Sequence, residues 1–318
     1  MIRTILEKIE AGASFLVASH ESPDGDAMGS TLALTHFLRE WGKEVLPYNR
    51  DGIPRDYAFL PGSERVVSEI PPGASFDVGF ILDAGELRRA GSGLKDVCRS
   101  LVNIDHHPFS ENFGDVYYVD EEACATGVLI YRLVKASGRP ISHNVALCVY
   151  TAILADTGSF RYSNANPEAF AAASELVALG INPWDVASAL YESQDEKRLR
   201  LLAQALATLT VSSCGRYASV AVTQSMYEQA RAGAEHTDGF VNYPRSVHGV
   251  EVAIFFRQIS PTSFKVGFRS KGRIDVGALS REFGGGGHHN AAGAVVDGPL
   301  DEVRATVFSR LDDLLAAC

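Results

Sequence analysis

His20-Glu-Ser-Pro-Asp24-Gly-Asp26 places an imidazole and two carboxylates in one short Pro/Gly-containing loop. The same chemistry closes three further apolar runs: Asp83 after Phe80-Ile-Leu82, Asp105-His106-His107 after Val102-Asn-Ile104, and Asp156 after Ala152-Ile-Leu-Ala155. Each alone has an ordinary explanation, since Asp24 or Asp26 can cap a helix starting near Ala27 and a lone histidine is usually a satisfied strand-end residue. Together they form a donor set. Two imidazoles (His20, His106) and four carboxylates (Asp24, Asp26, Asp83, Asp156) repel one another unless cations lie between them. Mixed nitrogen and oxygen donors suit Mn²⁺ or a similar divalent ion better than the all-oxygen cages of Ca²⁺. Six ligands exceed the needs of one catalytic ion and suit two. Ions roughly 4 Å apart can share a carboxylate and a hydroxide that attacks phosphorus. Asp83, the isolated strand-end carboxylate, is the natural bridge.

Such a set works only if the fold gathers it. Ser14-Phe-Leu-Val-Ala-Ser19 reads as a buried strand, followed by the loop and a helix over about 27–41. Apolar runs at 78–83 and 101–105 repeat the strand pattern, and 123–136 and 144–155 have helical length and composition. This alternation predicts a parallel sheet covered by helices, whose strand ends project the donors to one edge. Stretches 167–180 and 183–193 read as helices, and Asp195-Glu-Lys-Arg-Leu-Arg200 opens an amphipathic segment to about Leu209, taken as a connecting helix. From Tyr217 strands are expected at 218–223, 250–258 and 263–269, then a glycine-rich turn at 284–287, a strand near Ala294 and a final helix from about Leu300. The chain therefore reads as α/β: a mainly parallel lobe over 1–193, a helical linker over 194–212, and a smaller mixed-sheet lobe over 213–318.

Composition narrows the function. The 318 residues are 46% hydrophobic and 21% charged, which excludes a mainly disordered chain. With 29 Lys+Arg against 39 Asp+Glu the net charge is −10, which disfavours a long polyanion such as duplex DNA and leaves room only for a short, local nucleic-acid ligand. Five scattered cysteines (Cys98, Cys124, Cys148, Cys214 and Cys318) form no CxxC pair, as expected in a reducing cytoplasm. Glu7, Lys8 and Glu10 near the N-terminus do not read as a signal peptide, and the apolar stretch 146–155 is only about half a membrane span, so no membrane insertion is expected.

These motifs resemble those of the DHH phosphoesterase superfamily. His20-x3-Asp24-x-Asp26 matches its first motif, Asp83 its second, Asp105-His106-His107 its third and Asp156 its fourth. The resemblance implies one ion held by His20, Asp24 and Asp83 and a second by Asp26, Asp83, His106 and Asp156. It makes His107 a phosphate-contacting or proton-donating residue and gives Asp83 a catalytic part as bridge. Gly284-Gly-Gly-Gly287-His288-His289-Asn290-Ala-Ala-Gly293 looks like the signature of the DHH-associated C-terminal domain. Its amides can form an anion nest, with Gly285, Gly286, Gly287 and His288 as substrate contacts. Arg269 can grip a phosphate, beside Ser270. Asp238-Gly-Phe-Val-Asn-Tyr-Pro-Arg245 is similar to a segment of the bacterial nanoRNase group, which adds Tyr243 and Arg245. That group acts on very short oligoribonucleotides and 3′-phosphoadenosine 5′-phosphate. The resemblance thus implies a two-metal hydrolase with an active site between its lobes, nucleotide substrates and Mn²⁺ as the expected ion; a homodimer stays open. The alternatives are a cyclic- or linear-dinucleotide phosphodiesterase, an inorganic pyrophosphatase, or a nucleotide sensor without turnover.

Overall fold

The computed structural model describes residues 1–108 and 110–316, without the side chain of His288. Cys318 also lies outside the described residues. The chain forms two units, Met1–Ser193 and Gln194–Cys318.

In the first unit β1 (Ser14–Ser19), β2 (Glu44–Tyr48), β3 (Val78–Leu82), β4 (Leu101–Asp105) and β5 (Val116–Val119) form a sheet ordered β2-β1-β3-β4-β5, parallel throughout. Strands β3 and β4 are buried along their whole length, and β1 is buried after Ser14. Such strands are covered on both faces, so they read as continuous apolar runs rather than as alternating ones. Side chains alternate between the faces. Phe15, Val17, Phe80, Leu82, Val102 and Ile104 pack into one core, and Leu16, Ala18, Ile81 and Leu101 into another.

Helices Gly25–Glu40, Thr126–Ala136 and His143–Asp156 supply the larger core. They approach closely because Gly29 and Gly127 lack a Cβ. One added at Gly29 would lie 2.6 Å from the Cys148 carbonyl oxygen, and one at Gly127 would lie 2.5 Å from the Ala152 methyl.

The strand ends are level. Register pairs Ser19 with Leu82 and Leu82 with Ile104, so His20, Asp83 and Asp105-His106 emerge side by side at the C-terminal edge. The anticipated central strands are present at 14–19, 78–82 and 101–105. Strands β2 and β5, both at sheet edges, and the N-terminal helix Ile2–Ala11 were not anticipated.

The second unit begins with helix Glu196–Ala207, whose Leu201 and Ala205 are buried with Val222, Tyr227 and Phe240 of the same unit. Strands β6 (Thr210–Val211), β7 (Tyr217–Val222), β8 (Val252–Ser260), β9 (Ser263–Ser270), β10 (Gly286–His288) and β11 (Ala291–Asp297) form a sheet ordered β10-β11-β9-β8-β7-β6. It is mixed, β7 and β8 being parallel and the other neighbours antiparallel. One face is covered by the C-terminal helix Leu300–Ala316, whose Val303, Val307 and Leu311 share a core with Phe264, Val266 and Phe268 of β9.

Candidate metal centre and phosphate site

Three strand ends and two helix ends deliver the donors. Asp24 is the N-cap of helix Gly25–Glu40, its Oδ1 accepting from the amides of Asp26 (3.1 Å) and Ala27 (3.0 Å). That same oxygen lies 3.8 Å from His20 Nε2, so capping the helix does not take Asp24 away from the candidate site. Asp26 is fully buried in the first turn. Its carboxylate accepts from the amides of Thr126 (2.6 Å) and Gly127 (2.9 Å), at the start of the next helix, and from Ser30 Oγ (2.9 Å). A carboxylate at that helix N-terminus meets unpaired amides and the positive end of the dipole.

Asp83 lies at the centre. Its φ of 57° is left-handed, which turns the backbone out of β3 and aims the carboxylate across the sheet edge. Oδ2 lies 3.6 Å from His20 Nε2, while Oδ1 lies 3.5 Å from His106 Nε2 and 3.4 Å from His107 Nδ1. Thr126 Oγ1 donates to Oδ1 at 3.0 Å. His106 Nε2 lies within 3.6 Å of Asp26 Oδ2 and 3.9 Å of Asp156 Oδ2. Asp156 closes helix His143–Asp156. All six predicted ligands thus converge on Asp83 and the two imidazoles.

Both imidazoles are oriented for coordination. His20 Nδ1 donates to the Glu21 carbonyl at 2.7 Å and His106 Nδ1 to the Ala123 carbonyl at 3.1 Å. A carbonyl only accepts, so Nδ1 carries a proton in either charge state and Nε2 faces the carboxylates, where its lone pair would be free for a cation once the ring is neutral. Donor atoms of His20, Asp24 and Asp83 lie within 4.8 Å of one another, as do those of Asp83, His106 and His107. Two divalent cations would cancel the four carboxylates, so the donor set fits the metals the motifs imply.

The electrostatics state the same need in protons. Burial, the largest effect, followed by repulsion from Asp83, Asp156 and Asp24, raises Asp26 well above the usual carboxylate range. Asp156 is pushed up to about 7, by burial first and by Asp83 and Asp24 against the attraction of His106. Burial also opposes ionisation of Asp83, yet hydrogen bonds from His107 and His20 outweigh it and hold this carboxyl far below its ordinary value. His20 is raised, burial opposing and Asp83 and Asp24 favouring its proton. The protons held here stand where cations would.

His107 is built differently. Its Nδ1 lies 2.9 Å from Asp105 Oδ1. Asp105 is buried, and its other oxygen accepts from the Gly85 amide (2.7 Å) and Ser110 Oγ (2.7 Å). Burial works against an imidazolium, but Asp105 and then Asp83 push His107 up to about 11. Sequence reasoning gave Asp105 no role; it orients and charges its neighbour. Thr126 and Asn164, whose Nδ2 reaches Asp156 Oδ2 at 2.9 Å, were also missed.

In the second unit Arg269 lies on β9 opposite Ala291 of β11, the partner of His288 on β10, so the glycine turn and the arginine share one sheet edge. The turn is shaped by backbone need. Gly287 has a φ of 137°, and a Cβ on Gly285 would lie 2.3 Å from the Gly293 carbonyl oxygen. Gly286 has open space around it. The His288 side chain lies outside the described residues, and His288 is placed by its backbone in β10 alone. Ser270 is buried and accepts from the Gly272 amide at 3.0 Å, holding the turn after Arg269. Tyr243, exposed, and Arg245 lie on another element, the short helix Asn242–Arg245 packed against β8 and β9.

Comparison with known proteins follows this division. Residues 14–153 match the DHH family N-terminal domain and residues 217–317 the DHHA1 domain. The bifunctional oligoribonuclease and PAP phosphatase of Thermus thermophilus is 33% identical, covering 99% of this chain and 94% of that protein. The Bacillus subtilis protein of the same description is 27% identical over 92% of each chain. An exopolyphosphatase-related protein from Bacteroides fragilis superposes with a TM-score of 0.91 at 30% identity, covering 97% of this chain and 94% of that one.

Proposed function

The chain belongs to the DHH family, and from that premise we propose that it is a two-metal phosphoesterase that hydrolyses short oligoribonucleotides to mononucleotides and dephosphorylates 3′-phosphoadenosine 5′-phosphate. The observation that carries the reading is the meeting of six donors at one sheet edge around Asp83, with both imidazoles turned Nε2-inward. The near full-length likeness to two bifunctional oligoribonuclease and PAP phosphatases supports the substrate class.

His20, Asp24 and Asp83 hold one ion in this proposal, and Asp26, Asp83, His106 and Asp156 the other. Mn²⁺ fits their mixed nitrogen and oxygen donors. Bound there, the ions supply Lewis-acid activation of water and neutralise charge on the phosphate. The chain's own residues do the rest. Asp105 keeps His107 protonated and turned by its Nδ1 hydrogen bond, so the Nε2 proton is the one to pass to the departing oxygen. His107 is kept out of the ligand set because the nitrogen facing Asp83 is already engaged by Asp105. Arg269 and the amides of Gly285 to Gly287 bind the substrate's terminal phosphate, with Ser270 and the His288 position completing that site and Tyr243 and Arg245 meeting the adjoining nucleotide. The catalytic assignment covers residues 1–193 and the substrate-binding assignment residues 213–318. The compartment proposed is the cytoplasm; among the described residues no helix is long and apolar enough to cross a membrane.

The test is a parallel assay of the Mn²⁺-loaded protein on dinucleotides, 3′-phosphoadenosine 5′-phosphate, cyclic dinucleotides and pyrophosphate, with Asp83→Asn as control. Turnover of the first two, lost in the variant, is expected. A metal contribution of about 4 kcal/mol corresponds to about a thousandfold in rate. Turnover of pyrophosphate or cyclic dinucleotides alone would overturn the substrate assignment.

A further inference from the structure

Asn164 belongs to none of the motifs. It sits beyond helix His143–Asp156, on a turn in which Gly158, Ser159 and Phe160 have φ of 54°, 62° and 61°. Consecutive left-handed residues persist only where surrounding contacts hold them. The turn brings the chain back onto the end of the helix. There Asn164 Nδ2 lies 2.9 Å from Asp156 Oδ2, 2.9 Å from the Cys124 carbonyl oxygen and 3.2 Å from the Asp156 carbonyl oxygen. An amide nitrogen has two hydrogens, so the two shorter contacts take one each. Asn164 Oδ1 is buried with no hydrogen-bond partner among the described residues. A buried polar atom left unsatisfied opposes stability, and its retention calls for a reason on the other end of the amide.

The reason lies in what Cys124 is attached to. Its segment, 123–127, orients three other donors. The Ala123 carbonyl fixes His106, the Thr126 and Gly127 amides hold Asp26, and Thr126 Oγ1 holds Asp83. Asn164 is therefore a tie between Asp156 and the segment that sets Asp26, Asp83 and His106. We propose that Asn164 is a positioning residue that joins all four donors of the second ion into one frame.

This inference rests on the two-ion reading, and its test separates the two. Mn²⁺ binding is titrated by calorimetry on the wild type, on Asn164→Leu, which keeps the bulk and removes both donors, on Asp156→Ala, and on the double variant Asn164→Leu/Asp156→Ala. The expected result for Asn164→Leu is one binding step weakened about 10–100-fold, the usual cost of losing a group that orients a ligand, with the other step, which shares only Asp83, weakened less. In the Asp156→Ala background the Asn164 change should add little, because the tie has lost its load. Two wild-type steps in Asn164→Leu, equal weakening of both, or a full additive loss in the double variant would overturn the positioning role. A wild-type protein that binds only one ion would instead refute the two-ion reading itself.

Discussion

Asp83 and Asp105 end neighbouring strands, yet their surroundings give opposite duties. Asp83 faces three imidazole nitrogens and one hydroxyl, which suits a carboxylate shared between cations. Asp105 faces an amide, a serine hydroxyl and His107, which suits a carboxylate that holds a proton on its neighbour. Asp105→Asn should therefore lower the His107 pKa and move the alkaline limb of kcat to lower pH, since the acid form is lost sooner. The check is kcat against pH for both proteins; an unmoved limb would remove His107 as the acid. The same logic gives the sign of the metal linkage. His20 holds its proton above the ordinary value of 6.5 and must release it to coordinate. Apparent Mn²⁺ affinity should thus rise with pH and fall away as pH drops through the raised value. Calorimetry in buffers of different ionisation enthalpy should show proton release at pH 7, and none would contradict the ligand role of His20.

The elements turn these residue duties into distances. Helices Gly25–Glu40, Thr126–Ala136 and His143–Asp156 carry Asp26, the amides that bind it, and Asp156, and their spacing is set at Gly29 and Gly127. Gly127→Ala puts a methyl 2.5 Å from Ala152. Overpacking of this kind costs about 1–3 kcal/mol. It should lower the melting temperature of the metal-free protein and, by shifting the Gly127 amide, weaken metal binding as well; an unchanged melting temperature would show that the helices part freely. Legibility divides along the same line. The six candidate ligands could be read because each closely follows an apolar run, a strand for five of them and the helix His143–Asp156 for Asp156. Edge strand β2 was hidden by Pro47, which cannot donate to a ladder and is tolerated only at such an edge. Strand β5 has only four residues. Thr126 and Asn164 were illegible for another reason: they act through partners at a sequence separation of 43 residues for Thr126–Asp83 and 40 for Asn164–Cys124, and no local pattern records such pairings.

At the scale of the whole molecule, the net charge and the few candidate phosphate contacts of the second unit argue for a short substrate. A net charge of −10 gives no general attraction for a polyanion. Nuclease channels that track a long single strand use a basic groove with successive stacking aromatics. The second unit instead offers Arg269 beside one glycine turn, and Tyr243 with Arg245 on a single short helix. In the proposed function these groups fix one phosphate end of the substrate. A dinucleotide then uses every available contact. Each further nucleotide brings another phosphate toward an acidic protein and gains no stacking partner in return, so kcat/KM should be highest at about two to four nucleotides and fall steeply beyond. Salt separates this from simple repulsion, because added salt screens exposed charges. It should lift the rate on longer strands only partly, since missing contacts are not restored by screening. The measurement is kcat/KM on 5′-labelled RNA of increasing length in Mn²⁺ at low and high salt. A value flat or rising from the dinucleotide to a strand of about twenty nucleotides would exclude end-anchoring and require a strand-tracking surface that these residues do not supply.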